Sequence, residues 1–141
     1  MGSLLVKANL TATPGQPMVA ISPDTAGWRH ISFRSYRMPP GTVMQGDTEV
    51  RETALIVLGG ICTMKAGDQV WDQVGRRANV WERIPPCTLL LPPNTPFNVT
   101  SQTDVHLAVA AAPVPADRAV PPRLITPEQV AEETRGEGNT C

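Results

Sequence analysis

Residues 40–60 read PGTVMQGDTEVRETALIVLGG, and their order decides the fold. A Pro-Gly turn opens the stretch, a polar segment follows, then the apolar run Ala54 to Leu58, then Gly59-Gly60. Proline presets one turn dihedral and glycine supplies positive φ, so both ends are turns. A short apolar run between turn signals suits a strand inside a barrel wall or buried on both sides. Gly59-Gly60 predicts a two-residue hairpin, because both central positions of a type I′ turn need positive φ. In barrels of this kind the polar segment often carries metal ligands. Here it holds Asp47, Glu49 and Glu52, with no histidine between Arg37 and Cys87.

The same punctuation recurs along the chain. Fifteen prolines and eleven glycines in 141 residues are spread singly or in pairs, so they mark turns rather than low complexity. The expected strands are Leu4-Leu5-Val6 as an edge, Trp28 to Met38, Ala54 to Leu58, Ile61 to Lys65, Gln69 to Asp72, Ala78 to Arg83, Cys87 to Leu91, Phe97 to Thr100 and Val105 to Ala112. Residues 9–25 carry three prolines and read as an irregular covering segment. In the Trp28 strand the pair Ile31 and Phe33 predicts that the face with Arg29 and Ser35 points inward. This is one all-β domain, a sandwich or barrel. Its expected limits are residues 1–113. Residues 114–141 read as a linker with a short C-terminal helix, for which Thr126 is the N-cap, Pro127 opens the first turn and Glu128 favours the positive helix end.

Charge is nearly balanced, 12 basic against 13 acidic residues, so no nucleic-acid partner or acidic membrane surface is implied. No apolar run is long enough to span a bilayer as a helix, and the start of the chain has no secretory pattern, so a cytosolic protein is expected. Cys62, Cys87 and Cys141 show no zinc-site spacing, and the first two fall in apolar strand patterns as inert buried thiols.

Gly75-Arg76-Arg77 followed by Val80-Trp81-Glu82-Arg83 resembles the Gly-x-Arg-x-x-(Val/Ser)-(Phe/Trp)-Glu segment of the 5-deoxy-glucuronate isomerases, the IolB family of myo-inositol catabolism. Further likeness lies in Glu52 ahead of the strand ending at Gly59-Gly60, in Leu4-Leu5 followed by Lys7, and in Pro122-Arg123-Leu124-Ile125 with Arg135-Gly136 behind it. The resemblance implies a cupin (RmlC-like) β-barrel or jelly roll, the first barrel of a bicupin, with the second barrel beyond residue 141. It also implies where metal ligands should stand. The histidine pair of a cupin hairpin falls at Asp47 and Glu49, the glutamate near Glu52, and the later histidine at Phe97. Zinc or ferrous iron prefers imidazole at such positions, whereas a carboxylate-only calcium or magnesium cluster needs several oxygens together. The expectation is therefore no metal, cofactor or catalytic residue in this chain, with a divalent metal held only by the second barrel.

Neither His30 nor His106 has a companion ligand nearby in sequence. Arg29, Arg34 and Arg37 read either as a carboxylate clamp or as a solvated strand face. Two functions stay open. In one, the chain is the non-metal half of an aldose–ketose isomerase of a sugar acid and packs against the catalytic barrel or another subunit. In the other, it is a stand-alone single cupin that binds a small molecule or dimerises without catalysis.

Overall fold

A computed structural model describes residues 5–136. The chain forms ten strands: β1 (Val19–Ile21), β2 (Ser32–Met38), β3 (Val43–Asp47), β4 (Arg51–Gly59), β5 (Cys62–Ala66), β6 (Gln69–Val74), β7 (Cys87–Leu91), β8 (Pro96–Ser101), β9 (Val105–Pro113) and β10 (Arg123–Ile125). They make a six-stranded sheet in the order β1-β2-β9-β4-β7-β10 and a four-stranded sheet in the order β3-β8-β5-β6. Every pairing is antiparallel.

The period of two along each strand builds one core between the sheets. In β4, Thr53, Leu55, Val57 and Gly59 are buried, while Glu52, Ala54, Ile56 and Leu58 are half-buried on the outer face. Leu89 and Leu91 of β7 and Leu107 of β9 meet Met64 of β5 and Val99 of β8, all with no exposed surface. Cys62 and Cys87 are buried in this core as free thiols. Burial, with Cys87 adding a smaller effect, pushes the Cys62 thiol up to about 12, so it stays protonated and inert at neutral pH. Cys141 lies outside the described residues.

Several local expectations change. Gly59-Gly60 is not a hairpin turn. The strands on either side belong to different sheets, so the dipeptide is the corner where the chain crosses from one to the other. Only Gly60 has positive φ, 91°, and a bulge at Val57/Gly59 turns the strand end. In β2 the inward face is the opposite one: Tyr36 and Met38 lie in the core, Ile31 is exposed, and Ser35 is buried on the outer face between β1 and β9. The register against β9, with Tyr36 opposite the fully buried Leu107, sets this side and outweighs the apolar pair at the start. Leu5 and Val6 are exposed and outside any strand, and Leu4 lies outside the described residues. The covering segment hides an edge strand, β1, and a single-turn helix, α1 (Pro23–Ala26), with a Ser22–Thr25 capping box. Ala78 to Arg83 forms turns and no strand.

The tail also differs from a plain linker. Leu124 of β10 packs against the core from the edge beside β7. The expected two-turn helix is a single 3-10 turn, Pro127–Gln129, though Thr126 and Gln129 do form the capping box.

Gly60 is one of the two tightest glycine positions of this architecture, with Gly75. A Cβ there would press into the carbonyl of Asp104, and the positive φ already disfavours a side chain. Gly60→Ala should lower unfolding free energy by at least about 2 kcal/mol in urea titration. A loss within experimental error would show that the corner relaxes freely.

Candidate functional site

The barrel mouth is the place where a cupin would hold a metal, and its shape follows from β3 and β8. Met44 pairs with Val99 and Gly46 with Phe97, so the even positions of β3 face the interior. Asp47 and Glu49 therefore do not aim at the barrel axis. Asp47 is the exposed last residue of β3 and Glu49 is exposed in the turn beyond it, both at the rim of the mouth, where the Asp47 carboxylate accepts the Glu49 amide at 2.7 Å. The next even residue, Thr48, is buried and structural: its hydroxyl donates to the Pro92 carbonyl at 2.7 Å and accepts from the Thr95 amide at 2.9 Å. Glu52 stands on the outer face of β4, two positions before Ala54. The alignment to the motif was one residue out of phase, and a one-residue slip exchanges the faces of a strand.

Phe97 does occupy the interior at the mouth. Its ring lies over Gly46 so closely that a Cβ there would stand 2.6 Å from the ring. Gly46 and Phe97 form a complementary pair, a missing side chain facing an aromatic one. Among the described residues, no three His, Cys, Asp or Glu side chains come together in a way that could hold a metal ion. The mouth does not fit a transition-metal centre, because its inward positions offer a glycine, a phenyl ring and an already satisfied hydroxyl.

Instead the mouth encloses a cavity of about 210 Å³, lined by Arg34, Tyr36, Arg51 and Thr53 over Phe97 and Val109. The arginine series, open to reading as a clamp or as a solvated strand face, does not converge, and all three members are exposed. Arg34 reaches this mouth, Arg37 lies on the opposite face of β2, and Arg29 is exposed before the strand. The partner of Arg34 at the mouth is Arg51. Parity could have linked them, since Arg51 shares its face with Thr53 and Leu55.

A second hollow, about 450 Å³, lies at the other end of the barrel between the outer sheet face and residues 78–81. Arg37 and His106 form its floor with Leu58, and Trp81, 87% exposed, stands at its edge. The Gly75 to Arg83 block positions this wall. Arg77 donates from Nε to the Leu58 carbonyl and from Nη1 to the Ile84 carbonyl, each at 2.8 Å, and Glu82 Oε1 accepts the Ala78 amide at 3.0 Å. Arg76 pairs with Glu128 at 3.3 Å on the surface, tying the block to the C-terminal turn. Such an exposed pair adds little stability. His30 is exposed and lines neither hollow. Ser101 is buried with its hydroxyl donated to the Pro39 carbonyl, so it belongs to the fold and is not a nucleophile.

Two outcomes are expected. Gly46→Ala should cost about 1–3 kcal/mol, and much less when Phe97 is already alanine; a double-mutant cycle in urea measures the coupling. Additive losses would show that the ring does not depend on the glycine. For His106, burial first and the nearby Arg37 second hold the imidazole below its ordinary 6.5. The folded chain therefore binds fewer protons there than the unfolded chain. Stability contributed at this position is present above the unfolded value and is lost as pH falls from about 6.5 toward the lowered folded value. His106→Asn should flatten that part of the stability profile; an unchanged profile would remove His106 as its source.

With these features in view, the likeness to known proteins can be placed on the structure. The sequence profile of the KduI/IolB family matches residues 4–141. A curated 5-deoxy-glucuronate isomerase of Geobacillus kaustophilus is 32% identical over 139 residues, covering 99% of this chain and 49% of the relative. The crystal structure of an IolB-like protein from Salmonella typhimurium superposes with a TM-score of 0.88 at 34% identity, covering 97% of this chain and 50% of that one. The cupin domain of Schizosaccharomyces pombe Cnp3 shares the fold at a TM-score of 0.50 and 9% identity, over 68% of this chain and 63% of that one. The chain spans about half the length of the curated relatives it matches. It is a cupin barrel that belongs to the KduI/IolB family.

Proposed function

We propose that this chain serves 5-deoxy-glucuronate isomerisation in myo-inositol catabolism as a barrel without the reaction's metal centre. The observation that carries this reading is the Gly46–Phe97 pair at the mouth, in a chain whose curated relatives are named 5-deoxy-glucuronate isomerase. An aldose–ketose isomerisation moves a proton between adjacent carbons and needs a polarised carbonyl with an acid–base group beside it. The mouth presents no imidazole, and its carboxylates at Asp47 and Glu49 are exposed at its rim. No step of proton transfer is assigned to it. The divalent metal and the acid–base residues belong, on this reading, to the half of the relatives that this chain does not span.

The contribution of the present barrel is then contact. The centre of the outer face of the six-stranded sheet is apolar, with Phe33, Ile56, Leu90 and Ile125 half-buried around the small residues Ala54 and Ala110. At one end of that face stands the hollow edged by Trp81, and exposed tryptophan is common in interfaces. This surface suits packing against the catalytic barrel or another subunit of an oligomer. The composition and the absence, among the described residues, of any helix long and apolar enough to cross a membrane agree with a cytosolic setting.

The test is a 5-deoxy-glucuronate isomerase assay of the 141-residue chain with and without a separately produced second barrel. The expected result is no turnover by this chain alone, and a rise in turnover when the two are combined. Elemental analysis of the purified chain should show far less than one zinc, iron or manganese per chain. Turnover by the chain alone, a stoichiometric metal, or a second barrel indifferent to its presence would each sink the reading.

A further inference from the structure

Arg34 and Arg51 arrive at the barrel mouth from separate strands, β2 and β4, with β9 between them. Strand parity fixes both on the inward face: Arg34 lies two residues before the buried Tyr36, and Arg51 two before the buried Thr53. Among the described residues neither guanidinium makes an ion pair or a side-chain hydrogen bond. Arg77, by contrast, uses its guanidinium on two backbone carbonyls. The cavity lining also carries Asp47 and Glu49, yet neither guanidinium pairs with either carboxylate, so both keep their donors free for an anion placed between them. Guanidinium favours carboxylate because its planar donors match two oxygens.

The surroundings narrow the ligand. Phe97 and Val109 give an apolar floor, and Tyr36 and Thr53 add hydroxyls. The Asp47 and Glu49 carboxylates at the rim accept hydrogen bonds and would repel a second anionic group. At about 210 Å³ the cavity is below the usual range for drug-sized ligands, roughly 300–1,000 Å³. We propose that the mouth of this barrel binds a small hydroxylated monocarboxylate, its carboxylate between Arg34 and Arg51 and its hydroxyls against Tyr36, Thr53 and the rim acids. The carboxylate preference stands on the two arginines. The hydroxylated class rests on the isomerase reading above, and makes this barrel a binding site for a sugar acid rather than only a support.

The probe is D-glucuronate, titrated into the full chain by calorimetry, with glucuronate methyl ester, acetate and inorganic phosphate as comparisons. The expected result is saturable glucuronate binding with Kd below about 1 mM, and binding weaker by about tenfold or more for the uncharged ester. Arg34→Gln and Arg51→Gln should each raise Kd by roughly tenfold, while Arg29→Gln, outside both hollows, leaves it unchanged. Thermal melts confirm that the variants fold; if one does not, the ester comparison and the other variant still decide. No saturation by about 10 mM, equal affinity for the ester, or binding unaffected by both arginine substitutions overturns the site. Phosphate or acetate binding as tightly as glucuronate overturns the hydroxylated class. Failure here is distinguishable from failure of the isomerase reading: turnover with a second barrel but no glucuronate bound to this chain removes the site alone.

Discussion

The fold depends on how the chain is held as it leaves one sheet for the other. At Gly59-Gly60 the backbone turns sharply, and the corner is fastened from outside by Arg77. Its guanidinium bonds the Leu58 carbonyl before the corner and the Ile84 carbonyl beyond the loop, while its own carbonyl accepts the Gly60 amide at 2.8 Å. A charged donor to a carbonyl is worth more than a neutral one, and a planar guanidinium can serve two carbonyls that approach from different directions. Residues 78–81 then come so close to the corner that a Cβ on Gly59 would stand 2.5 Å from the Ala78 carbonyl. The Gly-Arg to Trp-Glu-Arg block is therefore a structural clasp, and the display of Trp81 beside the outer sheet follows from it.

The clasp also explains which parts of the structure were legible in the sequence. Strands that end at proline, such as Cys87–Leu91 and Val105–Pro113, were visible because turn chemistry is local. The role of Gly59-Gly60 was not, because a hairpin and a sheet-crossing corner ask for similar residues and differ only in what lies 20 or more residues away. The inward face of β2 was misjudged for a related reason. Ile31 and Phe33 weigh as apolar locally, but the pairing of Tyr36 with Leu107 decides which side is inside. Ala78 to Arg83 alternates enough to suggest a strand, yet its hydrogen bonds go to side chains of its own loop, Asn79 and Glu82.

At the mouth the same limit applies with functional consequences. That position 97 holds a phenyl ring and no imidazole was readable, since a sequence position shows its own occupant. That Gly46 is its partner was not, because the pairing of β3 with β8 joins residues 51 positions apart. Asp47 and Glu49 looked like ligands only while the register was unknown. With Met44 and Gly46 facing inward, the carboxylates are left exposed at the rim, and Asp47 is already engaged with the Glu49 amide. The poor fit of this mouth to a transition metal is thus a matter of phase as much as of residue type.

What the mouth keeps is also informative. A cupin interior filled only for stability would be expected to close over with apolar side chains, as the deeper layers do with Leu55, Leu89 and Leu107. Around Phe97 the packing stops short, and the inward positions above it carry guanidinium and hydroxyl groups. Arg34 alternates with Tyr36 on the inner face of β2, while Arg37 lies on the outer face beside His106. One strand therefore sends cations to both sides of the sheet, one toward the mouth cavity and one toward the hollow beside Trp81. An exposed guanidinium is strongly hydrated and needs no partner, so Arg37 carries no implication by itself. Arg34 is exposed as well, and what sets it apart is its neighbour: Arg34 and Arg51 face one cavity from separate strands with no ion pair, among the described residues, between them and a carboxylate, so together they offer an anion two sets of planar donors that the outer cation alone does not.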